Sequence, residues 1–163
     1  MKFLMVEQAG QMKFEILPYH LVQEFENKAS EKHIVIGFRT PKSRYQEIEY
    51  SPNCVGHIEL WVHDIERTKP VGWESSSSMR DIVLFSRDDA KKILDLVDKH
   101  KNEIELIVCQ CDAGISRSSG AAAALSFILN GDDSLIMNNT RLWPNRLIYN
   151  TLLAVAGTTG GGV

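Results

Sequence analysis

The chain has 163 residues, of which 44% are hydrophobic and 24% are charged, and this size and composition favour one globular domain. With 18 Lys and Arg against 21 Asp and Glu, the charge gives no reason to expect nucleic acid or an acidic membrane surface as a partner. Three cysteines are too few for a disulfide framework, and no apolar run is long enough for a signal peptide or a membrane span. We therefore expect a soluble, cytoplasmic protein.

The first half of the chain alternates strand patterns with one helix pattern. Residues 12–17 alternate apolar and polar side chains, as a half-buried strand does, and residues 33–38 form the apolar run of a buried strand. Between them, residues 18–25 predict a short helix, since the proline at their start is tolerated in a first helical turn. After a polar connection, residues 58–62 predict a third strand, which ends at Asp64.

A loop and a capped helix follow that strand. Residues 68–80 contain a proline, a glycine and four consecutive serines, a composition that predicts a mobile flap. Ser86 with Asp89 three residues later resembles a capping box, and apolar residues then recur at the spacing of one helical face. We predict that this helix ends near Lys101.

The last elements surround a strand that leads to a cysteine. Residues 106–109 are too few and too β-branched for a helix, and they predict a central strand that carries Cys111 at its carboxyl end. Residues 121–129 have strong helix propensity and stop at an Asn-Gly pair, and residues 145–156 predict the final helix. Alternating strands and helices indicate an α/β fold with a central, mainly parallel sheet and helices on both faces. Ligands of such sheets bind beyond the carboxyl ends of the strands, where Cys111 is expected.

We assign residues 12–156 to one domain. Residues 1–11 carry little pattern and are predicted to be an N-terminal extension. Residues 157–163 are so rich in glycine that we predict a disordered tail.

The residues with the clearest chemistry are 111–118, Cys-Asp-Ala-Gly-Ile-Ser-Arg-Ser, between a predicted strand and a predicted helix. Gly114 gives this loop the backbone freedom to wrap its N–H groups around a phosphate. Positive charge from the loop amides and the helix N-terminus favours thiolate over thiol at Cys111. Arg117 offers a planar fork for two phosphate oxygens. The segment therefore predicts a phosphate-binding loop with a nucleophilic cysteine.

This segment resembles the signature loop of the protein tyrosine phosphatase superfamily, in its compact dual-specificity-like branch. Four features together resemble small bacterial tyrosine phosphatases, over residues 58 to about 152. They are the Asp-Ile pair at 64–65, the capped helix start at 86–89, the loop at 111–118 and the Pro-Asn-Arg triplet at 144–146. The resemblance implies a cysteine-phosphatase-like fold and a phosphomonoester hydrolase that needs no metal or organic cofactor.

The resemblance also implies a role for each matching residue. Cys111 is the nucleophile that forms a phosphocysteine intermediate, Arg117 clamps the transition state, and Ser118 steadies the thiolate as it leaves. Phosphate or sulfate is expected to bind in the loop itself. The phosphate-binding residues are Asp112, Ala113, Gly114, Ile115, Ser116 and Arg117.

Two aspartates compete for the role of general acid. The superfamily uses an aspartic acid on a separate loop to protonate the leaving oxygen, and we choose Asp64 because it ends a strand. Asp81 is the alternative, because it lies closer to the following helix and nearer the spacing of dual-specificity enzymes. Gln110 departs from the histidine that usually precedes the nucleophile, and this change predicts slower turnover.

Other interpretations of the site stay open. A catalytically silent, phosphate-binding pseudophosphatase would keep the loop without turnover, and Gln110 strengthens this alternative. A phosphorylated protein is the default substrate, but a small phosphomonoester, a lipid or a nucleotide would suit a pocket of different depth. Cys54 and His57, taken with the other cysteines, lack the paired C-x-x-C spacing of zinc sites, so no metal is expected.

Overall fold

The computed structural model of the chain describes residues 4–7, 9–66 and 81–158. The strands are β1 (Leu4–Val6), β2 (Lys13–Pro18), β3 (His33–Arg39), β4 (Cys54–Trp61) and β5 (Leu106–Cys111). The helices are α1 (Val22–Lys28), α2 (Arg87–His100), α3 (Arg117–Asn130), α4 (Ser134–Met137) and α5 (Arg146–Ala156). The strands form one sheet in the order β1-β2-β5-β3-β4.

Four strands of the sheet run parallel. Strands β2, β5, β3 and β4 pair in this way, and the short β1 lies antiparallel on the outer side of β2. The central strands β5 and β3 are buried along their whole length, which agrees with their continuous apolar and β-branched residues. Parallel strands have their carboxyl ends on the same side of a sheet. The last residues of β2, β3 and β5, which are Pro18, Arg39 and Cys111, therefore lie on one side.

Helices cover both faces of the sheet, as predicted. One face carries the larger core with α2, α3 and α5, and the other carries a smaller core with α1. The larger core includes Phe14, Ile36, Ile93, Ile107, Leu125 and Leu152. The smaller core includes Leu17, Val22, Val35, Ile48 and Val108. Alternation along β5 directs Cys109 and Cys111 toward the larger core and Gln110 toward the opposite face.

The predicted α/β fold is confirmed, together with most of its elements. The strands predicted at 12–17, 33–38 and 106–109 correspond to β2, β3 and β5. The capping box is also present, since the Ser86 hydroxyl accepts from the Asp89 N–H at 3.1 Å and the Asp89 carboxylate accepts from the Ser86 N–H at 3.0 Å. Helix α2 ends at His100, one residue before the predicted end.

Several boundaries differ from the prediction. Strand β4 begins at Cys54, four residues before the predicted start at 58, because pairing with β3 extends it beyond the apolar run. Helix α3 begins at Arg117, four residues before the predicted start at 121, within the signature loop itself. Residues 1–11 include strand β1, and the short α4 was not predicted.

Some predictions remain predictions. The flap proposed for residues 68–80 lies outside the described residues, as do residues 159–163 of the proposed tail. The division into one domain, an extension and a tail likewise stays a prediction. Within the described residues, no helix is long and apolar enough to cross a membrane.

Candidate active site

The loop between β5 and α3 turns sharply at Gly114. This residue has a φ of +68°, in the left-handed region, and a Cβ at this position would lie 2.5 Å from the backbone nitrogen of Pro18. Any other residue would therefore be strained and would clash with backbone atoms. The glycine predicted to allow a tight loop is required for that reason.

Cys111 is buried at the start of this loop, with 2% of its surface exposed. Its Sγ lies 3.1 Å from the hydroxyl oxygen of Ser118, which is fully buried in the first turn of α3. A hydroxyl that donates to the sulfur stabilises a thiolate, and the positive end of α3 acts in the same direction. The arrangement suits a sulfur that carries negative charge.

Arg117 is held by two partners at the other end of the loop. Its Nη1 donates to the carbonyl of Val62 at 2.8 Å, and its Nη2 donates to Asp112 Oδ2 at 2.9 Å. Its Nε is buried and has no hydrogen-bond partner among the described residues. The guanidinium is therefore fixed in orientation while its Nε–H has no partner among the described residues.

The carboxylate of Asp112 connects the loop to the segment after β3. Its Oδ2 accepts from Thr40 Oγ1 at 2.6 Å as well as from Arg117, and its Oδ1 accepts from the Tyr45 hydroxyl at 2.6 Å. Burial by itself raises the pKa of Asp112, but these hydrogen bonds and the charge of Arg117 lower it below its usual value. Sequence reasoning assigned Asp112 to phosphate binding only and missed this network.

Of the two candidate aspartates, Asp64 is the one bonded to the loop. Its Oδ1 accepts from Ser116 Oγ at 2.7 Å and from Asn145 Nδ2 at 2.8 Å. Asp81 instead forms an exposed ion pair with Lys42 at 2.9 Å. The structure thus brings Asp64 together with the Cys111 loop and places Asp81 in a surface contact.

Asn145 is a buried link that holds this arrangement together. In addition to the bond to Asp64, its backbone N–H donates to the carbonyl of Ser116 at 2.9 Å. Its Oδ1 accepts from the N–H of Ile148 at 3.0 Å and so caps α5. The Pro-Asn-Arg triplet was noted in the sequence, and the contacts of Asn145 give a physical reason for its presence.

Gln110, the residue before Cys111, is paired with a buried arginine. The Arg39 Nη1 donates to Gln110 Oε1 at 2.6 Å. The guanidinium also lies 4.5 Å from the ring centre of Tyr19 and 5.0 Å from that of Tyr45. The nearest carboxylate in an ion pair with it is Glu59, at 3.5 Å. A positive charge is therefore present beside Gln110 although Gln110 itself is neutral.

A cleft of 740 Å³ borders the loop on another side. It is lined by Leu4, Ile16, Pro18, Ala113, Gly114, Ile115 and residues 138–142. Neither Cys111 nor Arg117 is among the described residues that line it. The cleft is therefore a neighbouring surface and not the place where the thiol and the guanidinium converge.

Three solved structures are similar to this chain over most of its length. The human tyrosine phosphatase-like serine/threonine/tyrosine-interacting protein has a TM-score of 0.58 at 14% identity, with 88% of this chain and 91% of that chain covered. PTPMT1 in complex with PI(5)P has a TM-score of 0.55 at 11% identity, with 90% of each chain covered. Tk-PTP in its active form has a TM-score of 0.54 at 13% identity, with 93% and 95% covered. The chain has the tyrosine and dual-specificity phosphatase fold.

The phosphatase fold agrees with the resemblance seen in the signature loop. No protein-family model matches the sequence. No curated protein matches it either. At identities of 11% to 14% the likeness establishes the phosphatase fold alone, and activity depends on the residues that this chain places in the loop.

Proposed function

We propose that this chain is a cytoplasmic, cysteine-dependent phosphatase that hydrolyses phosphomonoesters, with a phosphorylated protein as the default substrate. The observation that carries the proposal is the 3.1 Å contact between Cys111 Sγ and Ser118 Oγ, in a loop that ends at Arg117. A cysteine that only packs in a core needs no hydroxyl partner. A sulfur that alternates between thiolate and phosphoester is stabilised by one.

In the first step, the Cys111 thiolate attacks phosphorus in line with the leaving oxygen. An S–P bond forms while the P–O bond to the substrate breaks, and the leaving oxygen takes a proton from Asp64. The contacts of Asp64 support this role, because Ser116 and Asn145 both bind Oδ1. Its Oδ2 has no hydrogen-bond partner among the described residues and is the oxygen we assign to proton transfer.

In the second step, water attacks the phosphorus of the phosphocysteine. The Asp64 carboxylate takes a proton from that water, the S–P bond breaks, and inorganic phosphate leaves with the sulfur again a thiolate. The Ser118 hydroxyl donates a hydrogen bond to the departing sulfur, and this bond stabilises the negative charge that the sulfur gains as it leaves. No metal or organic cofactor takes part in either step of the proposed mechanism.

Arg117 and the loop amides hold the transferred group. Charge spreads over three equatorial oxygens during phosphoryl transfer, so fixed donors stabilise the transition state. The buried Arg117 Nε supports this role because its N–H has no partner among the described residues. The amides assigned to the phosphate oxygens are those of residues 112–117.

We further assign Arg39 as a positioning residue for this reaction. It fixes Gln110, which precedes the nucleophile, by the 2.6 Å hydrogen bond. Through its contact with the Tyr45 ring, it also supports the hydroxyl that binds Asp112, which follows the nucleophile. Cys111 therefore lies between two residues whose side chains depend on one buried guanidinium.

A catalytically silent phosphate-binding module is the second candidate. The favouring observation is that both terminal nitrogens of Arg117 already have partners, namely the Val62 carbonyl and the Asp112 carboxylate. A phosphate must compete with the negative charge of Asp112 for that guanidinium. One similar structure is itself named a phosphatase-like interacting protein.

The choice of substrate also rests on local charge. PTPMT1 was solved with the phosphoinositide PI(5)P, so a lipid is one candidate class for this fold. The low pKa of Asp112 keeps a negative charge in the loop, and this charge disfavours ligands with several phosphates. We therefore favour a phosphoprotein over a phosphoinositide.

The test is hydrolysis of p-nitrophenyl phosphate by the wild type and by Cys111→Ser. We expect turnover in the wild type and none in the variant, because a serine hydroxyl stays protonated in the same loop. Cys109→Ala, two residues earlier in the same strand, is the matched control and should retain turnover. A wild type that binds phosphate without turnover would support the silent module instead, and full turnover in Cys111→Ser would exclude a phosphocysteine.

A further inference from the structure

Three side chains from separate elements meet at the amino-terminal end of the sheet, opposite the Cys111 loop. Glu26 is near the end of α1, His33 is the first residue of β3, and Cys54 is the first residue of β4. One ligand-type atom from each of them lies within 4.8 Å of the other two. Glu26 and His33 are buried, and Cys54 is half-buried. Strands β3, β4 and β5 run parallel, so the cluster lies at their amino-terminal ends, whereas the Cys111 loop lies at their carboxyl ends.

The imidazole of His33 has an oxygen acceptor at each nitrogen. Its Nδ1 lies 2.8 Å from the carbonyl of Glu31, and its Nε2 lies 2.8 Å from Glu26 Oε1. A carbonyl accepts only, so we assign the hydrogen of a neutral ring to Nδ1 from its partner. Nε2 then presents a lone pair to a carboxylate, and a cation must lie between them. An Nδ1–H bound to a backbone carbonyl is the usual support of a histidine that ligates a metal.

The other two side chains are also oriented for a shared ligand. Glu26 Oε2 accepts from the N–H of Ser51 at 2.8 Å, which directs Oε1 toward His33. The Cys54 thiol lies 3.4 Å from the Gly56 carbonyl, its backbone acceptor among the described residues. Tyr50 and Ser51 precede Cys54 by four and three positions in the sequence. The Tyr50 hydroxyl and the Ser51 Oγ are buried and have no partner among the described residues.

We propose that Glu26, His33 and Cys54 bind a divalent metal ion, with zinc as the best-suited ion. One nitrogen, one oxygen and one sulfur ligand form a set that suits zinc and excludes magnesium and calcium, which take oxygen ligands. Three protein ligands leave the fourth tetrahedral position to water, for which the buried hydroxyls of Tyr50 and Ser51 are candidate partners. Tetrahedral bonds place two such ligands about 3.3 Å apart, so His33 Nε2 and Glu26 Oε1 must separate by about half an ångström.

A proton is the competitor of the metal at this position. His33 Nε2 and Glu26 Oε1 are 2.8 Å apart, which is the separation of a charge-assisted hydrogen bond. In metal-free protein the second proton on the ring serves as the cation between His33 and Glu26. Zinc would displace that proton and would also bind Cys54 as a thiolate, so binding releases one proton from His33 and one from Cys54.

The proposed metal has a structural role. It would join α1 to the starts of β3 and β4, and so fix the Cys54 end of the segment that runs from the end of β3 to the start of β4. That segment contains Thr40 and Tyr45, which bind Asp112 at the carboxyl end of β5. This set of ligands was not predicted from the sequence, because 20 residues separate Cys54 from His33 and the C-x-x-C pattern is missing. His57, the histidine nearest to Cys54 in the sequence, instead stacks on Tyr50 at 3.9 Å.

The test uses the full chain, stripped of metal by a chelator, and two probes, Co²⁺ and Zn²⁺. We expect one Co²⁺ per chain with a sulfur-to-cobalt charge-transfer band in the near ultraviolet, and we expect Zn²⁺ to displace it. Cys54→Ser should abolish the band and weaken Zn²⁺ binding by at least about tenfold. Cys109→Ala, which removes a buried cysteine outside the cluster, should keep both.

His33→Gln is the second variant, and Cys54→Ser keeps the test valid if His33→Gln fails to fold. Zn²⁺ should raise the unfolding temperature of the wild type and leave that of Cys54→Ser unchanged. A wild type with no band and no stoichiometric Zn²⁺ would overturn the proposal and leave the proton as the cation. A band that survives Cys54→Ser would overturn it as well, because the sulfur would then be Cys109 or Cys111. None of these readouts depends on phosphatase activity.

Discussion

Arg39 and Gln110 are joined by a 2.6 Å hydrogen bond, although 71 positions separate them in the sequence. Arg39 is 1% exposed, and Gln110 is fully buried. The residue that replaces the usual histidine before the nucleophile is therefore bound to a buried cation supplied by β3. Loss of that cation leaves the Gln110 amide without its donor, next to Cys111.

Arg39→Lys should lower the turnover number without preventing folding. A lysine keeps the charge but loses the planar group that packs between Tyr19 and Tyr45 and reaches Gln110. If the cost of about 1 to 3 kcal/mol for an unpaired buried group falls on the transition state, kcat should decrease about 5-fold to 150-fold. Steady-state kinetics with p-nitrophenyl phosphate checks this, with the exposed Lys91→Arg as control. An unchanged kcat would remove Arg39 from the mechanism.

Gly37→Ala should have a similar effect by a different route. A Cβ at residue 37 would lie 2.2 Å from Gln110 Nε2, so Gln110 must leave its place beside Arg39. We expect kcat to fall about as much as in Arg39→Lys, and the double variant to lose little more because both act through one contact. Additive losses in the two variants would show that Gly37 and Arg39 act independently.

Asp64→Asn should reduce turnover most on substrates with poor leaving groups. A phenolate of high pKa needs a proton to depart, whereas p-nitrophenolate leaves largely without one. The ratio of the kcat values for phosphotyrosine and p-nitrophenyl phosphate should therefore fall in Asp64→Asn. Asp81→Asn is the matched control, because that carboxylate is exposed and paired with Lys42. A leaving-group effect confined to Asp81→Asn would transfer the role of general acid.

Much of the fold was predictable because its signals are local. Strands β2, β3 and β5 are short apolar or alternating runs between chain breakers, and α2 carries its own cap. Strand β1 and the start of β4 were missed because pairing with a neighbouring strand creates them. No apolar period marks these residues. A sequence pattern cannot report a partner that lies far along the chain.

In the candidate site, too, the residues that are close in sequence were predicted and those that depend on distant partners were not. Cys111, Arg117 and Ser118 lie close together in the sequence, so spacing alone brings them together. Asp64 was expected at the end of a predicted strand, although β4 ends three residues earlier, at Trp61. Their supporting residues are distant in sequence. Tyr45 binds Asp112 across 67 positions, and Asn145 binds Asp64 across 81. These contacts depend on tertiary structure, which explains why Arg39 and the contact of Tyr45 with Asp112 were not predicted.

Glu15 should make the stability of the protein depend on pH. It is 4% exposed in β2, and burial raises its pKa from 4.5 to about 7. The unfolded chain loses the proton near pH 4.5 and the folded chain only near pH 7. The stability that Glu15 contributes is therefore complete below pH 4.5 and is lost as the pH rises through 7, by about 3 kcal/mol in all.

Glu15→Gln should remove most of this dependence, because glutamine has no proton to lose. Urea unfolding of wild type and variant at pH 5 and pH 8 gives the comparison. We expect the variant to gain stability relative to the wild type at pH 8 and to gain little at pH 5. A difference between the two proteins that stays constant across this range would contradict the assigned pKa.

The proposed mechanism requires that phosphate pass through a covalent bond to Cys111. Asp64→Asn, supplied with p-nitrophenyl phosphate, should form the intermediate faster than it hydrolyses it, because the leaving group needs no acid and the attacking water lacks its base. After rapid acid quenching, mass spectrometry of the peptides should find phosphate on the peptide that contains Cys111. Cys111→Ser treated in the same way should carry none. Continued turnover with no phosphate on that peptide, or with phosphate on a different residue, would contradict a phosphocysteine intermediate on Cys111.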